Sequence, residues 1–240
     1  MFDKPDFSEE TINAIKFHAV SQYPNESCGI IVADQYIPCE NIATDPRNGF
    51  KIADSVIVEA GSNLRAIVHS HPDGNPSPSE ADMRSQMAFG CIFGIVVCNA
   101  NEVTKPITWW GDFRLEEPLI GRTFLHGITD CYGVVRSYFW QVHGIKVEDL
   151  PRDDEWWNNN GNLYVENFDR LGFDLIQQNE VREGDCFFGK VRSKVPNHGG
   201  VILDRGLMLH HVGGKLSLRE PIARWGQFVS CYLRYRGLNG

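Results

Sequence analysis

Ile67-Val68-His69-Ser70-His71-Pro72-Asp73-Gly74-Asn75-Pro76-Ser77-Pro78-Ser79-Glu80-Ala81-Asp82 is the stretch that organises the first half of the chain. Its β-branched opening reads as the end of a strand and Asp73 to Pro78, rich in Pro, Gly and Ser, as a loop. Ser79 then reads as the N-cap of a helix running to Phe89. Strand residues two apart share a face, so His69 and His71 leave the strand on the same side, and Asp82 follows in the first turn of the helix. Two neutral imidazoles and a carboxylate suit zinc, and three protein ligands leave the fourth tetrahedral position open, as in a catalytic site. A water held there needs a proton acceptor. The candidate is Glu26, in Tyr23-Pro24-Asn25-Glu26-Ser27-Cys28-Gly29 just before a core-like strand. Taken singly each residue is a weak signal, because an H-x-H pair is more often a hydrogen-bonded surface pair and a lone Asp more often a helix cap.

The rest of the first half alternates sheet and helix. Ser8 to Ser21 predicts an amphipathic helix, with Glu9 and Glu10 in the first turn and Ile12, Ile15, Ala19 and Val20 as its apolar stripe. Strand-like runs lie at 28–33, 55–59, 65–69 and 91–98. From Trp109 to Pro118 the text passes from strand into a charged, proline-ended connector. A boundary near 112 to 118 follows, giving domains of residues 1–112 and 113–240. In the second domain helices come first, at 130–142 and 163–171 around an Asn158-Asn159-Asn160-Gly161 loop. Short strands follow at 185–188, 200–203, 206–210 and 228–233. This order predicts an α+β protein of two domains.

With 240 residues the chain can bury a real core, and 42% hydrophobic with 22% charged residues is the balance of a globular protein. Long disorder and coiled coil are disfavoured. No apolar run reaches the ~20 residues of a membrane span, and the acidic start lacks the basic and apolar regions of a signal peptide. A cytoplasmic protein with no membrane span is expected. A formal charge of -8 disfavours nucleic acid as a partner. Seven cysteines without a C-x-x-C, mostly inside apolar runs, predict reduced core thiols.

Cys131 is the exception among them. In Thr129-Asp130-Cys131-Tyr132-Gly133-Val134-Val135 it stands at a predicted helix start, where the helix dipole is expected to lower a thiol pKa. A base comes from a hairpin around Asp204-Arg205-Gly206. His198 opens one strand, and Leu207-Met208-Leu209-His210-His211 closes the next. Antiparallel pairing brings these ends together, so His198 can take the Cys131 proton while His210 orients the imidazole. His211 competes for that second role, and alternation sends the two neighbours to opposite faces, so only one can serve; the spacing from Met208 favours His210. His18, His126 and His143 have no partner set and read as structural. The tryptophan pairs 109–110 and 156–157 read as a strand end and a packed lid.

P-x-E-x-C-G followed by H-x-H-P, six residues and S-x-x-D resembles the JAMM (MPN+) metallopeptidase motif. That resemblance implies a mixed α/β/α sheet domain in which His69, His71 and Asp82 bind Zn2+. Glu26 would take a proton from the bound water and Ser79 would help stabilise the tetrahedral oxyanion. The bond cut would be an amide or isopeptide, often beside a ubiquitin-like domain. Residues 113–240 resemble the papain-like NlpC/P60 cysteine peptidases through Asp130 to Val135, Gly184-Asp185-Cys186-Phe187-Phe188 and the His198 to His210 hairpin. This implies Cys131, His198 and His210 as catalytic residues. It also implies peptidoglycan stem peptides as substrate, usually at the D-glutamyl to diaminopimelate bond, with an amidase as the variant reaction. Gly121-Arg122-Thr123-Phe124 departs from the family's G-x-P-Y segment, whose tyrosine hydroxyl can assist at the oxyanion. The order, spacing and size of the two halves resemble the tail tip assembly proteins of lambda-like bacteriophages. Phage tail tip proteins are then the expected partners, one of them carrying a ubiquitin-like domain. The expected places are the host bacterial cytoplasm during assembly and the virion tail tip. A structural assembly factor with little or no turnover is the alternative expectation.

Overall fold

The computed structural model describes residues 3–159 and 161–238; Met1, Phe2, Asn160, Asn239 and Gly240 lie outside the described residues. The chain divides into two compact units, residues up to Pro78 with Asp82–Phe113, and Ser79–Ala81 with residues from Arg114 onward.

In the first unit α1 (Glu9–Gln22) starts at Ser8, whose hydroxyl accepts from the Thr11 N–H, with Glu9 and Glu10 in the first turn. β1 (Cys28–Val32) and β2 (Gln35–Cys39) form a hairpin. After α2 (Asp54–Ala60), β3 (Leu64–Pro72) pairs antiparallel with β1. α3 (Glu80–Phe89) leads to β4 (Ile92–Cys98), parallel to β3, and β5 (Thr108–Trp110) completes the order β2-β1-β3-β4-β5. The buried centre of β3 and the wholly buried β4 account for their nearly unbroken apolar text. α1 packs Ile15 and Ala19 onto Ile31, Val68 and Val96 of the sheet.

Residues 55–59, expected as a strand, are helical. Asp54 suits the first turn of a helix, Gly61 takes φ 51° just past Ala60 as a stop, and Val58 is 78% exposed. The β-branched run therefore buries no alternating face, and local end signals outweigh its strand propensity. β2 has no counterpart in the sequence expectation, since it carries a proline and buries only Tyr36, as an edge strand can.

In the second unit α4 (Cys131–His143) buries most of its first nine residues and ends at Gly144 in the left-handed region, φ 67°. α5 (Leu163–Asn167) is shorter than the expected 163–171, since residues 168–172 form turns that end at Gly172, φ 90°. An antiparallel sheet follows, in the order β10-β9-β8-β7-β11-β6. Its strands are β6 (Phe173–Ile176), β7 (Cys186–Gly189), β8 (His198–Ile202), β9 (Leu207–His210), β10 (Leu218–Pro221) and β11 (Val229–Tyr235). β6 and β10 are the edges and bury one residue and none, so their text carries no alternating signal. The architecture is α+β, with α4 packed on the buried β8.

Gly133 sets how tightly the chain enters α4. A Cβ there would lie 2.3 Å from the Ile128 carbonyl oxygen, a main-chain atom that cannot swing away. Gly133→Ala is expected to destabilise the protein by ~1–3 kcal/mol, read as a lowered urea midpoint. An unchanged midpoint would show that the 125–130 turn yields without cost.

Candidate functional sites

β3 delivers His69 and His71 to one end of the first sheet, and α3 carries Asp82 to them, so that their donor atoms all lie within 4.8 Å of one another. His69 Nε2 is 3.0 Å from His71 Nε2 and 3.3 Å from Asp82 Oδ1, and His71 Nε2 is 3.6 Å from Asp82 Oδ2. A tetrahedral zinc with bonds of ~2.0–2.1 Å separates its donors by ~3.3 Å, close to the distances from His69 to His71 and to Asp82 Oδ1, while His71 approaches the other Asp82 oxygen. Proton placement agrees with a metal-facing pair. His71 Nδ1 lies 2.9 Å from the Asn75 carbonyl, which can only accept, so a proton is on Nδ1 and the neutral ring would offer its Nε2 lone pair to a metal. Burial lowers the His71 pKa, but the hydrogen bonds to Asp82 and Asn75 outweigh it and raise the value. His69 is fully buried and stacks on Phe50, with centroids 4.3 Å apart and planes at 20°. Its Nδ1 finds no hydrogen-bond partner, so the ring is oriented by this stacking and by the Nε2 contacts to His71 and Asp82. Burial outweighs the attraction of Asp82 and lowers the His69 pKa, which keeps the imidazole neutral as a ligand must be.

Glu26 is 8% exposed. Burial, partly offset by the charge of His71 and reinforced by that of Asp82, pushes its carboxyl up to about 7. Its main chain is pinned by Pro46 O at 2.7 Å and by Asn41 Nδ2 at 2.9 Å. Ser79 is exposed, directly precedes α3 and groups with the second unit.

In the second unit Cys131 and His198 line one cleft of about 860 Å³ together with Phe124, His126, Trp156 and Trp157. His126, read from the sequence as structural, lines this cleft with its Nε2 3.3 Å from the Arg152 carbonyl oxygen. Asp130 shapes the turn that presents the thiol. Its two oxygens accept from the Gly133 and Gly127 N–H groups at 2.9 Å, and Arg152 Nη2 donates to both at 2.9 and 2.7 Å. Burial alone would raise the Asp130 pKa, but the Arg152 charge overrides it and holds the carboxyl at about 2.

The Cys131 thiol does not follow the helix-dipole expectation. Burial, joined by the Asp130 charge, pushes it up to about 11, although the Tyr164 hydroxyl and the Gly199 N–H favour the thiolate. Full desolvation beside a carboxylate outweighs what the start of α4 offers the thiolate. A neutral thiol lines the cleft. Tyr164 Oη, from α5, is 3.4 Å from Cys131 Sγ and supplies a hydroxyl where Phe124 has none.

His198 Nε2 is 3.0 Å from His210 Nδ1, and His210 Nε2 is 2.8 Å from Glu220 Oε1. Trp225 stacks on His198 at 5.1 Å, meets His210 edge-on at 4.7 Å, and donates Nε1–H to Glu220 Oε1 at 3.0 Å. Burial and then the neighbouring His210 lower His198 to about 3, leaving a neutral base. His211 turns away, its ring nitrogens meeting the Thr129 and Lys215 carbonyls. The fold thus pairs His198 with His210 and not with His211. Arg152, Tyr164, Glu220 and Trp225 escape sequence reasoning because each comes from a different segment with no motif of its own.

Asp130 and His198 both have folded-state pKa values below their unfolded ones. Each therefore stabilises the fold above its unfolded pKa, 3.8 and 6.5, and loses that contribution as pH falls toward about 2 and about 3. As pH falls below about 6.5 the wild type is expected to lose more melting temperature than His198→Phe does, while Glu26, raised to about 7, acts in the opposite direction in both proteins. Parallel profiles of the two proteins from about pH 7 to about pH 4.5 would show that His198 protonates without cost in the fold.

A family model described as prokaryotic homologs of the JAB domain matches residues 8–111, and the NlpC/P60 family model matches residues 121–233. Tail tip assembly protein K of Escherichia phage N15 is 34% identical over 97% of each chain. Tail tip assembly protein K of Escherichia phage lambda is 34% identical over 76% of this chain and 87% of its own. The desampylase of Haloferax volcanii is 23% identical over 45% of this chain and 86% of its own. With that identity sustained along nearly its full length and both domain models matched in order, the chain belongs to the tail tip assembly protein K family.

Proposed function

We propose that the chain is a phage tail tip assembly protein with two peptidase sites. Residues 1–112 would form a zinc-dependent peptidase or isopeptidase and residues 113–240 a cysteine endopeptidase acting on murein stem peptides. The observation that carries the reading is the line of neutral groups behind one cleft, with Cys131 and His198 in its wall and His210 hydrogen-bonded to His198. Cys131 Sγ bonds to the scissile carbonyl carbon as its proton passes to His198. His198 returns that proton to the leaving amine, and water then cleaves the thioester. Phe124, Trp156 and Trp157 offer apolar walls to a short peptide.

At the first site the donor chemistry and spacing of His69, His71 and Asp82 fit Zn2+. Bound zinc supplies Lewis acidity and a more acidic water. Glu26 is the proton acceptor of the chain there, and the Ser79 hydroxyl is the donor toward the substrate oxygen. The substrate would be an amide or isopeptide bond in a tail protein, one bearing a ubiquitin-like domain, which the JAMM motif supports. Tail tip proteins would be its partners, in the host cytoplasm during assembly and at the tail tip.

Mass spectrometry of purified stem peptides tests the cysteine site. Cleavage by the wild type is expected to survive a chelator and to fall by orders of magnitude in Cys131→Ser. A folded wild type that leaves the peptides intact would remove murein hydrolysis and favour a structural assembly role. At the other site, elemental analysis is expected to find one Zn2+ per chain. Zinc at a hundredfold excess over Kd should add ~2.7 kcal/mol of stability. Both effects should vanish in Asp82→Ala, and retained zinc there would rule the three-residue site out.

A further inference from the structure

None of the roles above uses Glu220, although it ends the hydrogen-bonded line that starts at the cleft. On the register Leu218↔His210 and Glu220↔Met208, the side chains of Glu220 and His210 lie on one face of the β9 and β10 pair, diagonally adjacent. Glu220 Oε1 lies 2.8 Å from His210 Nε2 and 3.0 Å from Trp225 Nε1, and an ionised carboxylate only accepts. Each proton along the line then follows. Trp225 donates its only N–H. His210 must carry its proton on Nε2, which leaves a lone pair on its Nδ1. His198 Nε2, 3.0 Å from that lone pair, must donate to it. With both rings neutral, the one nitrogen left to accept a proton is His198 Nδ1. Trp225, stacked on one ring and edge-on to the other, keeps both imidazoles in this plane relation.

We propose that Glu220 is a positioning residue of the cysteine site, selecting through His210 the tautomer of His198 whose Nδ1 accepts the Cys131 proton. The inference rests on the cysteine peptidase reading given above. Other groups near the line do not make this choice. Arg224 Nη1 is 3.9 Å from the other Glu220 oxygen, while Lys215 and His211 reach His210 only through their charges. Without Glu220, His210 could carry its proton on Nδ1 and face His198 with a donor. His198 would then turn its lone pair inward and offer the thiol only an N–H.

Two measurements on the full chain test this. Imidazole 15N spectra of the wild type are expected to show His198 and His210 as Nε2–H tautomers, and near-isosteric Glu220→Gln to show mixed protonation at both rings. Alkylation of Cys131 by iodoacetamide, followed at that residue by peptide mass spectrometry across a pH series, reads the thiol without any substrate. Glu220→Gln is expected to slow it ~10–100-fold near neutral pH, with Glu220→Asp restoring part of the rate, by analogy with the loss when carboxylate partners of metal-bound histidines are removed. Unchanged tautomers and an unchanged alkylation profile in Glu220→Gln would overturn the inference while leaving the cysteine site standing. Wild-type alkylation no faster than that of His198→Ala would instead sink the base role of His198 itself, whatever Glu220 does.

Discussion

The buried pair of Asp130 and Arg152 is the constraint on which the second unit turns. Burying two charges is costly, and a bare pair seldom repays it. Here the carboxylate also accepts from two main-chain amides, so that it caps α4 and closes the 127–133 turn in one group. Arg152 in turn donates to Asp149 and to the Leu150 carbonyl, tying a distant loop to the helix start. The same charge that orders the turn raises the pKa of the neighbouring thiol. Structural order and thiol acidity thus oppose one another, and the thiol stays neutral.

The two candidate sites solve the placement of imidazoles in related ways. His69 lies on Phe50 and His198 on Trp225, each ring held by an aromatic face rather than by backbone geometry alone. Burial keeps both neutral, the form needed for a metal ligand and for a base alike. They differ in assembly. The candidate metal-ligand set comes from one strand, loop and helix in direct succession, whereas the candidate cysteine site draws on α4, α5, β8, β9 and β10.

That difference explains what could be read in advance. The H-x-H text on a strand puts both rings on one face by periodicity, and Asp82 is only one loop away, so short spacing carries nearly all of the geometry. Helix starts at Ser8 and Asp130 were legible because caps are local. The edge strands β2, β6 and β10 were not, since half-exposed strands lose the alternation that marks a buried face. The 55–59 segment misled because five β-branched or polar residues fit either period, and its helical form is decided by Asp54 and Gly61 at its ends.

By itself the sequence determined the two-part α+β order and the donor types gathered around residues 69–82, and its motifs implied a pairing of thiol and histidine. Those properties are local, because they depend on spacing within an element or across one turn. Only the tertiary structure decided which of two adjacent histidines meets His198, that Tyr164 stands by the thiol, and that Glu220 terminates the line. It also decided the sign of the Cys131 shift. Desolvation and the placement of buried charges depend on everything packed around a group, and no spacing along the chain encodes that.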